Sequence, residues 1–223
     1  MSARQPGLHD LLARVPVVPV LAIDSVRTAL PLAQALIAGG LTVLEITLRT
    51  RAALEIIRAL DREFEYAVVG AGTVLTPAQY EDAVKAGAKF VVSPGATAAL
   101  LDVAEARSVP FLPGAATSSE VMRLLERGYG CLKFFPAEPS GGVAYLKALA
   151  APLPDARFCS TGGIDAARAS SYLALPNVVC IGGSWVAPRD AVAAGDWPAI
   201  TRLARAAAAL RPAPKMIGAQ QDR

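Results

Sequence analysis

Eight short runs rich in Val, Ile and Phe recur along this chain, at residues 17–23, 43–47, 67–70, 90–93, 111–113, 131–135, 157–160 and 178–181, with helix-forming stretches between them. Such alternation is the mark of βα units, which assemble into a parallel sheet. Successive runs start about 23 residues apart, room for one strand and a helix of two to three turns. An open doubly wound sheet would usually carry a Gly-x-Gly-x-x-Gly cradle in its first βα turn. Gly70-Ala71-Gly72 opens that pattern, but Leu75 stands where the third glycine belongs. The spacing therefore predicts a single-domain α/β fold, a (β/α)8 TIM barrel over residues 16–211. Residues 1–15 form an N-terminal segment with a helix, and residues 212–223, polar and broken by Gly and Pro, are expected to fray.

Helices are expected at 30–37, 52–60, 78–86, 119–127 and 199–210, the first, third and fourth of them closed by Gly39-Gly40, Gly87 and Gly128. Glycine just past the last turn is the usual helix stop. Ser118 or Ser119 offers an N-cap to the fourth, and Thr76-Pro77 a helix entry with proline at the first helical position.

One histidine, His9, precedes the first strand-like run. His-based triads, histidine-rich zinc sites and imidazole shuttles are thereby removed, since each needs a well-placed imidazole. Acid–base work falls to carboxylates, lysines or tyrosines. The net charge of +3 is spread over scattered Arg and Lys without a basic stripe, so small anions rather than nucleic acid are the expected partners. Cys131, Cys159 and Cys180 stand singly in apolar runs with no Cys-x-x-Cys, which suits buried thiols in a reducing compartment. No signal-like apolar stretch opens the chain and no apolar run reaches membrane length, so a cytoplasmic location is expected.

In a barrel of this kind the strands' C-terminal ends carry the chemistry. Along 43–49, alternation puts Leu44, Ile46 and Leu48 on one face and Glu45, Thr47 and Arg49 on the other. The apolar face must meet the helices, so Glu45 points into the barrel. Lys133, between Leu132 and Phe134, points inward by the same rule, and it is the one lysine of five in mid-strand. An inward carboxylate and amine cost several kcal/mol, on the order of 3–5, unless paired or used. A lysine in apolar surroundings favours its neutral amine, which can attack a ketone to give a Schiff base. The alternative is an ion pair that only fills the core.

Arg49, at the top of its strand, can grip a carboxylate in bidentate fashion. Thr73 can donate its hydroxyl to the same group, or serve equally well as a helix cap. Gly162-Gly163 and Gly182-Gly183 follow the seventh and eighth runs, whose loops commonly hold phosphate in this fold, with Thr161 and Ser184 beside them. Ser140-Gly141-Gly142 is a further loop near the site, and Pro94 and Pro113 shape the rim. Asp24, Glu120 and Asp165 sit near helix starts and are read as caps or as charges facing the helix dipole, so no metal site is expected.

The motifs Glu45-Ile46-Thr47-Leu48-Arg49-Thr50, Gly70-Ala71-Gly72-Thr73-Val74-Leu75, Ser93-Pro94-Gly95, Lys133-Phe134-Phe135-Pro136-Ala137-Glu138, Thr161-Gly162-Gly163 and Ile181-Gly182-Gly183-Ser184-Trp185 follow in that order. In them the chain resembles the bacterial 2-keto-3-deoxy-6-phosphogluconate (KDPG) and 4-hydroxy-2-oxoglutarate (KHG) aldolases, from about residue 16 to residue 209. The resemblance implies a class I aldolase of the Entner-Doudoroff pathway, a homotrimer of (β/α)8 barrels, acting on a phosphorylated keto-acid. It implies Lys133 as the Schiff-base lysine and Glu45 as general base and acid. Arg49 and Thr73 would hold the pyruvyl carboxylate, and Thr161 the hydroxylated carbons. Gly162, Gly163, Gly183 and Ser184 would take the phosphate, with Pro94 and Phe135 at the pocket rim. The imine is the electron sink, so no metal or cofactor is expected. One departure is Ser160, where the family commonly has proline. The rival readings are an aldolase for the phosphogalactonate epimer, a metal-dependent pyruvate aldolase and a sugar-phosphate-binding barrel without turnover.

Overall fold

Each strand-like run becomes a strand because its apolar residues must be covered on the outside by helices and on the inside by one another. In the computed structural model, which describes residue 5 and residues 7–210, the strands are β1 (Val17–Leu21), β2 (Val43–Thr47), β3 (Val68–Gly72), β4 (Val91–Val92), β5 (Phe111–Leu112), β6 (Gly114–Ala115), β7 (Cys131–Phe134), β8 (Arg157–Thr161) and β9 (Val178–Gly183). All pair in parallel, in the order β5-β4-β3-β2-β1-β9-β8-β7-β6. The eight expected runs thus give nine strands. Pro113 splits the fifth run into β5 and β6, because proline cannot donate to a ladder. The two ends of the sheet order are joined by that one residue, whose carbonyl accepts from the Lys133 N–H at 2.8 Å. The barrel closes through it.

Below this seam a side chain replaces the missing ladder. The Gln5 amide donates to the carbonyls of Phe111 and Cys131, both at 2.7 Å, and accepts from the Cys131 N–H at 2.9 Å. The first residues of β5 and β7 are bridged by one buried amide.

The helices around the barrel are α1 (Leu8–Leu12), α2 (Val26–Ala38), α3 (Ala53–Glu63), α4 (Pro77–Lys85), α5 (Ala98–Glu105), α6 (Ser118–Glu126), α7 (Gly142–Ala150), α8 (Ala166–Leu173), α9 (Arg189–Ala194) and α10 (Trp197–Ala208). Side-chain caps set most of their starts: Ser25, Thr76, Thr97, Asp165 and Asp196 each accept from a backbone N–H three residues on. The cap of α6 is Thr117, not Ser118 or Ser119. Thr117 and Glu120 form a reciprocal capping box, which neither serine can make because the glutamate must lie three residues beyond the cap. The helices α5, α7 and α8 fill βα units for which the sequence suggested a helix without definite bounds, and α9 is a short addition before the closing helix. Of the two roles open to Asp24, the cap is taken by Ser25, which leaves Asp24 just before the start of α2. The expected tail, with Lys215, lies outside the described residues.

The interior follows the alternation. Register places Glu45 opposite Gly70 and Val20 on one half, and Gly114, Lys133, Cys159 and Cys180 in one row on the other. All three thiols are buried and free. Burial pushes the Cys131 thiol up to about 12. A hydrogen bond with Cys159, then burial, raises that of Cys180. Protonated thiols are poor nucleophiles, so this layer packs as small apolar groups.

Candidate active site

At the C-terminal ends of β2 and β7 the two inward charges meet. Lys133 Nζ donates to Glu45 Oε1 at 3.1 Å, with both side chains almost wholly buried. The phenyl ring of Phe135 lies 5.5 Å from the ammonium, close enough for a cation–π contribution. Room for the carboxylate comes from Gly72 on the neighbouring strand, where a Cβ would stand 2.1 Å from Glu45 Oε1. A side chain there would expel Glu45 from its place. Gly114, beside Lys133 in register, lets the backbone of Pro94 approach: a Cβ there would stand 2.2 Å from the Pro94 carbonyl carbon. Phe135, two residues on from the lysine, therefore lies beside it, while Pro94, from the loop after β4, packs against Gly114 of the adjoining strand.

Around this pair the remaining predicted residues take distinct places. Arg49 follows β2, and its Nε donates to Thr47 Oγ1 at 3.1 Å, while that hydroxyl donates to the Leu21 carbonyl at 2.9 Å. This chain turns the guanidinium towards β1. There Arg49 and Ser184 line one cavity of about 940 Å³ with Asp24, Thr28, Trp185 and Arg189. The structure thus brings Arg49 together with Ser184. Thr73 stands just past β3 at φ 57°, the left-handed region that a β-branched residue seldom enters. Its reading as a helix cap is overturned, because Thr76 caps α4. Backbone strain of about 1–3 kcal/mol at such a position is typical of functional sites.

Thr161 ends β8 and faces inward in register with Gly182. Its Oγ1 is buried with no hydrogen-bond partner, within 2.3 Å of where a Gly182 Cβ would be. An unpaired buried hydroxyl costs about 1–3 kcal/mol, so it marks a place where a ligand can supply the partner. Ser160 also carries an unpartnered hydroxyl, but on the opposite face of the strand, and pairs with Phe134 and Ile181. The serine does not break the strand that presents Thr161. Gly162 and Gly163 follow with φ of 110° and 79°, a turn only glycine adopts readily twice in succession. Gly183 closes β9 beneath the Trp185 ring, and Ser184 is exposed at its end.

Sequence reasoning left Gly72, Thr47, Trp185 and Glu138 without a task. Glu138 lay in plain view in the lysine motif; Gly72 could be recognised only from the register of β2 on β3. Among the described residues the remaining lysines are not in mid-strand, as expected: Lys85 and Lys147 lie on helices, and Lys89 pairs with Asp61 at 2.8 Å on the surface. Among the described residues no helix is long and apolar enough to cross a membrane.

A family model described as KDPG and KHG aldolase matches residues 8–203. The 2-dehydro-3-deoxy-phosphogluconate aldolase of Pseudoalteromonas atlantica is 52% identical over 201 residues, which are 90% of this chain and 94% of that protein. A KDPG aldolase from Legionella pneumophila, crystallised with pyruvate captured as a covalent carbinolamine intermediate, superimposes with a TM-score of 0.88 at 46% identity, covering 90% of this chain and 97% of that one. The enzyme of Zymomonas mobilis ZM4, solved with 3-phosphoglycerate, gives a TM-score of 0.87 at 46% identity, covering 93% and 98%.

Proposed function

This chain belongs to the KDPG and KHG aldolase family, and from that premise we propose that it cleaves 2-dehydro-3-deoxy-6-phosphogluconate to pyruvate and glyceraldehyde 3-phosphate through a Schiff base on Lys133. The observation that carries the reading is the buried 3.1 Å contact between Lys133 and Glu45, a nucleophile and its base isolated from water. Glu45 accepts a proton from Nζ, and the free amine adds to the C2 ketone. Glu45 returns protons as the carbinolamine loses water to the imine. It then takes the proton of the C4 hydroxyl, the C3–C4 bond breaks, and the electron pair moves into the protonated imine to give an enamine. Proton return to C3 and hydrolysis free pyruvate and the lysine. No metal or cofactor enters these steps.

Arg49 and Thr73 hold the pyruvyl carboxylate in this reading, the bidentate guanidinium supplying charge and the strained threonine a fixed hydroxyl. Thr161 donates its unpartnered hydroxyl to the hydroxyl oxygens on the substrate's oxygenated carbons. Gly162, Gly163, Gly183 and Ser184 bind the phosphate through backbone N–H groups and one hydroxyl. 4-Hydroxy-2-oxoglutarate is a second substrate, cleaved to pyruvate and glyoxylate by the same steps. The enzyme works in the cytoplasm as a homotrimer, a state that analytical ultracentrifugation reads directly.

Borohydride reduction in the presence of pyruvate tests the chemistry. The expected result is a stable adduct located on Lys133 by peptide mass spectrometry and absent from Lys133→Ala. Full turnover without an adduct, or turnover abolished by EDTA, overturns the imine route. Side-by-side kinetics on the gluconate and galactonate epimers checks the substrate.

A further inference from the structure

Glu138 closes the lysine motif, yet nothing in the chemistry at Lys133 uses it. Its backbone N–H donates to the Gly162 carbonyl at 3.0 Å, and the preceding Ala137 N–H donates to the Thr161 carbonyl at 2.8 Å. The loop after β7 is thus laid along the turn after β8. The side chain then reaches under that turn: a Cβ on Gly163 would stand 2.8 Å from Glu138 Cβ, and one on Gly142 would stand 3.2 Å from Glu138 Oε1. Both glycines stand aside for one carboxylate.

Two partners hold the carboxylate there. Tyr172 of α8, fully buried, donates its phenol to Oε1 in a short hydrogen bond. Burial first, and the Glu138 carboxylate next, keep that phenol protonated and donating. Arg168, one turn earlier on the same helix, pairs through Nε with Oε2 at 3.2 Å and through a terminal nitrogen with Asp165 at 2.6 Å. Asp165 in turn caps α8. The turn 162–163, the start of α7 and the start of α8 are therefore tied to a single side chain. Arg168 also sets a positive charge against the carboxylate, so that an anion bound on the turn does not face it bare.

We propose that Glu138, held by Tyr172 and Arg168, is a positioning residue that fixes the Gly162–Gly163 turn, and so sets the preference for substrates phosphorylated at the end remote from the ketone. The proposal rests on the reading that this turn takes the phosphate. Two consecutive residues at positive φ have many alternative conformations, and the carboxylate beneath them selects one. Backbone donors bind an anion well only if they already converge.

The test is Tyr172→Phe, with Glu138→Gln and the exposed Arg168→Gln as companions that spare the buried packing. Each is assayed on 2-keto-3-deoxy-6-phosphogluconate, on its unphosphorylated counterpart, and for competition by inorganic phosphate. The expected result for Tyr172→Phe and Glu138→Gln is a KM for the phosphorylated substrate raised about 10-fold, with a parallel weakening of phosphate inhibition. For Arg168→Gln the shift is about threefold. In every variant kcat, and kcat/KM on the unphosphorylated substrate, stay within about twofold. Equal losses on both substrates, or no loss on either, overturn the positioning role. If the wild type itself neither prefers the phosphorylated substrate nor responds to inorganic phosphate, it is the phosphate assignment of the turn that fails.

Discussion

At the N-terminal end of the barrel the buried Gln5 amide spends both its carbonyl and its NH2 on backbone groups of β5 and β7. At the C-terminal end Thr161 offers a buried hydroxyl to nothing, Lys133 and Glu45 have chiefly each other, and Thr73 holds a backbone angle its side chain disfavours. Gln5 at one end and Glu45, Lys133 and Thr161 at the other are all buried, with Thr73 half-buried beside them. The difference lies in whether polar groups close on themselves or remain open, and open groups are what a ligand can complete. Satisfied polarity stabilises the fold; unsatisfied polarity defines where substrate belongs.

The largest expected effect that tests this contrast is at Glu45. Glu45→Gln removes the proposed base and leaves the shape, so kcat is expected to fall by about 10²–10⁴-fold. The melting temperature hardly moves, because glutamine keeps the volume of the side chain and an oxygen that accepts from Lys133 Nζ. Steady-state kinetics and thermal denaturation read the two quantities separately, and a variant that keeps its activity but unfolds early would invert the comparison. Next comes Gln5→Ala, which orphans the Cys131 N–H and two carbonyls at the closed end. A loss of about 2–4 kcal/mol is expected from the shift of a urea transition. Activity of the folded fraction at 25 °C stays at the wild-type value, and a drop in kcat without a drop in stability would refute the structural role.

A smaller and sharper pair is Ser160→Ala against Thr161→Val. Both delete a buried, unpartnered hydroxyl, one on the outer face of β8 and one on the inner. Each should stabilise by about 1 kcal/mol. Only Thr161→Val should also raise KM for the phosphorylated keto-acid, by about 10-fold, since only that hydroxyl faces the barrel interior. Matching kinetics in the two variants would show that the face of the strand does not matter.

Much of this was legible in the sequence because alternation is a local property. The inward placing of Glu45 and Lys133 needs only the parity of residues 43–49 and 131–135, and the barrel only the recurrence of such runs. What escaped depends on neighbours remote in sequence. The void at Gly72 exists because β3 lies in register with β2, so that Gly72 stands beside Thr47 and against the Glu45 side chain. The left-handed angle of Thr73 follows from how the chain must leave β3, and no residue type announces it. Gln5 looked like part of a polar leader, since its partners lie more than a hundred residues away. The misplaced cap of α6 is different. The threonine-to-glutamate spacing of Thr117 and Glu120 was present in the sequence, and two adjacent serines drew attention from it.

Glu120 supplies the smallest test, because it lies near the catalytic end of the barrel yet one of its carboxylate oxygens already accepts three hydrogen bonds. Its carboxylate accepts from the N–H groups of Ala116 and Thr117 and from the Thr117 hydroxyl, each at 2.9 Å. These bonds, the Ala116 N–H first, hold its pKa below the ordinary carboxylate range. A depressed folded-state pKa stabilises above the unfolded value, about 4.3 for glutamate, and that contribution is lost as pH falls through the lower folded value. Because the group is exposed, solvent screening leaves only a few tenths of a kcal/mol. Glu120→Gln should therefore be slightly less stable than wild type at pH 7, and the two urea midpoints should converge below about pH 4. Its kcat and KM at pH 7 should match wild type. If they do, nearness to the catalytic end is not what makes a polar group functional; an unfilled hydrogen-bonding capacity is. A raised KM in this variant would mean that satisfied groups at that end also reach the substrate, and the contrast between the two ends would have to be drawn by position alone.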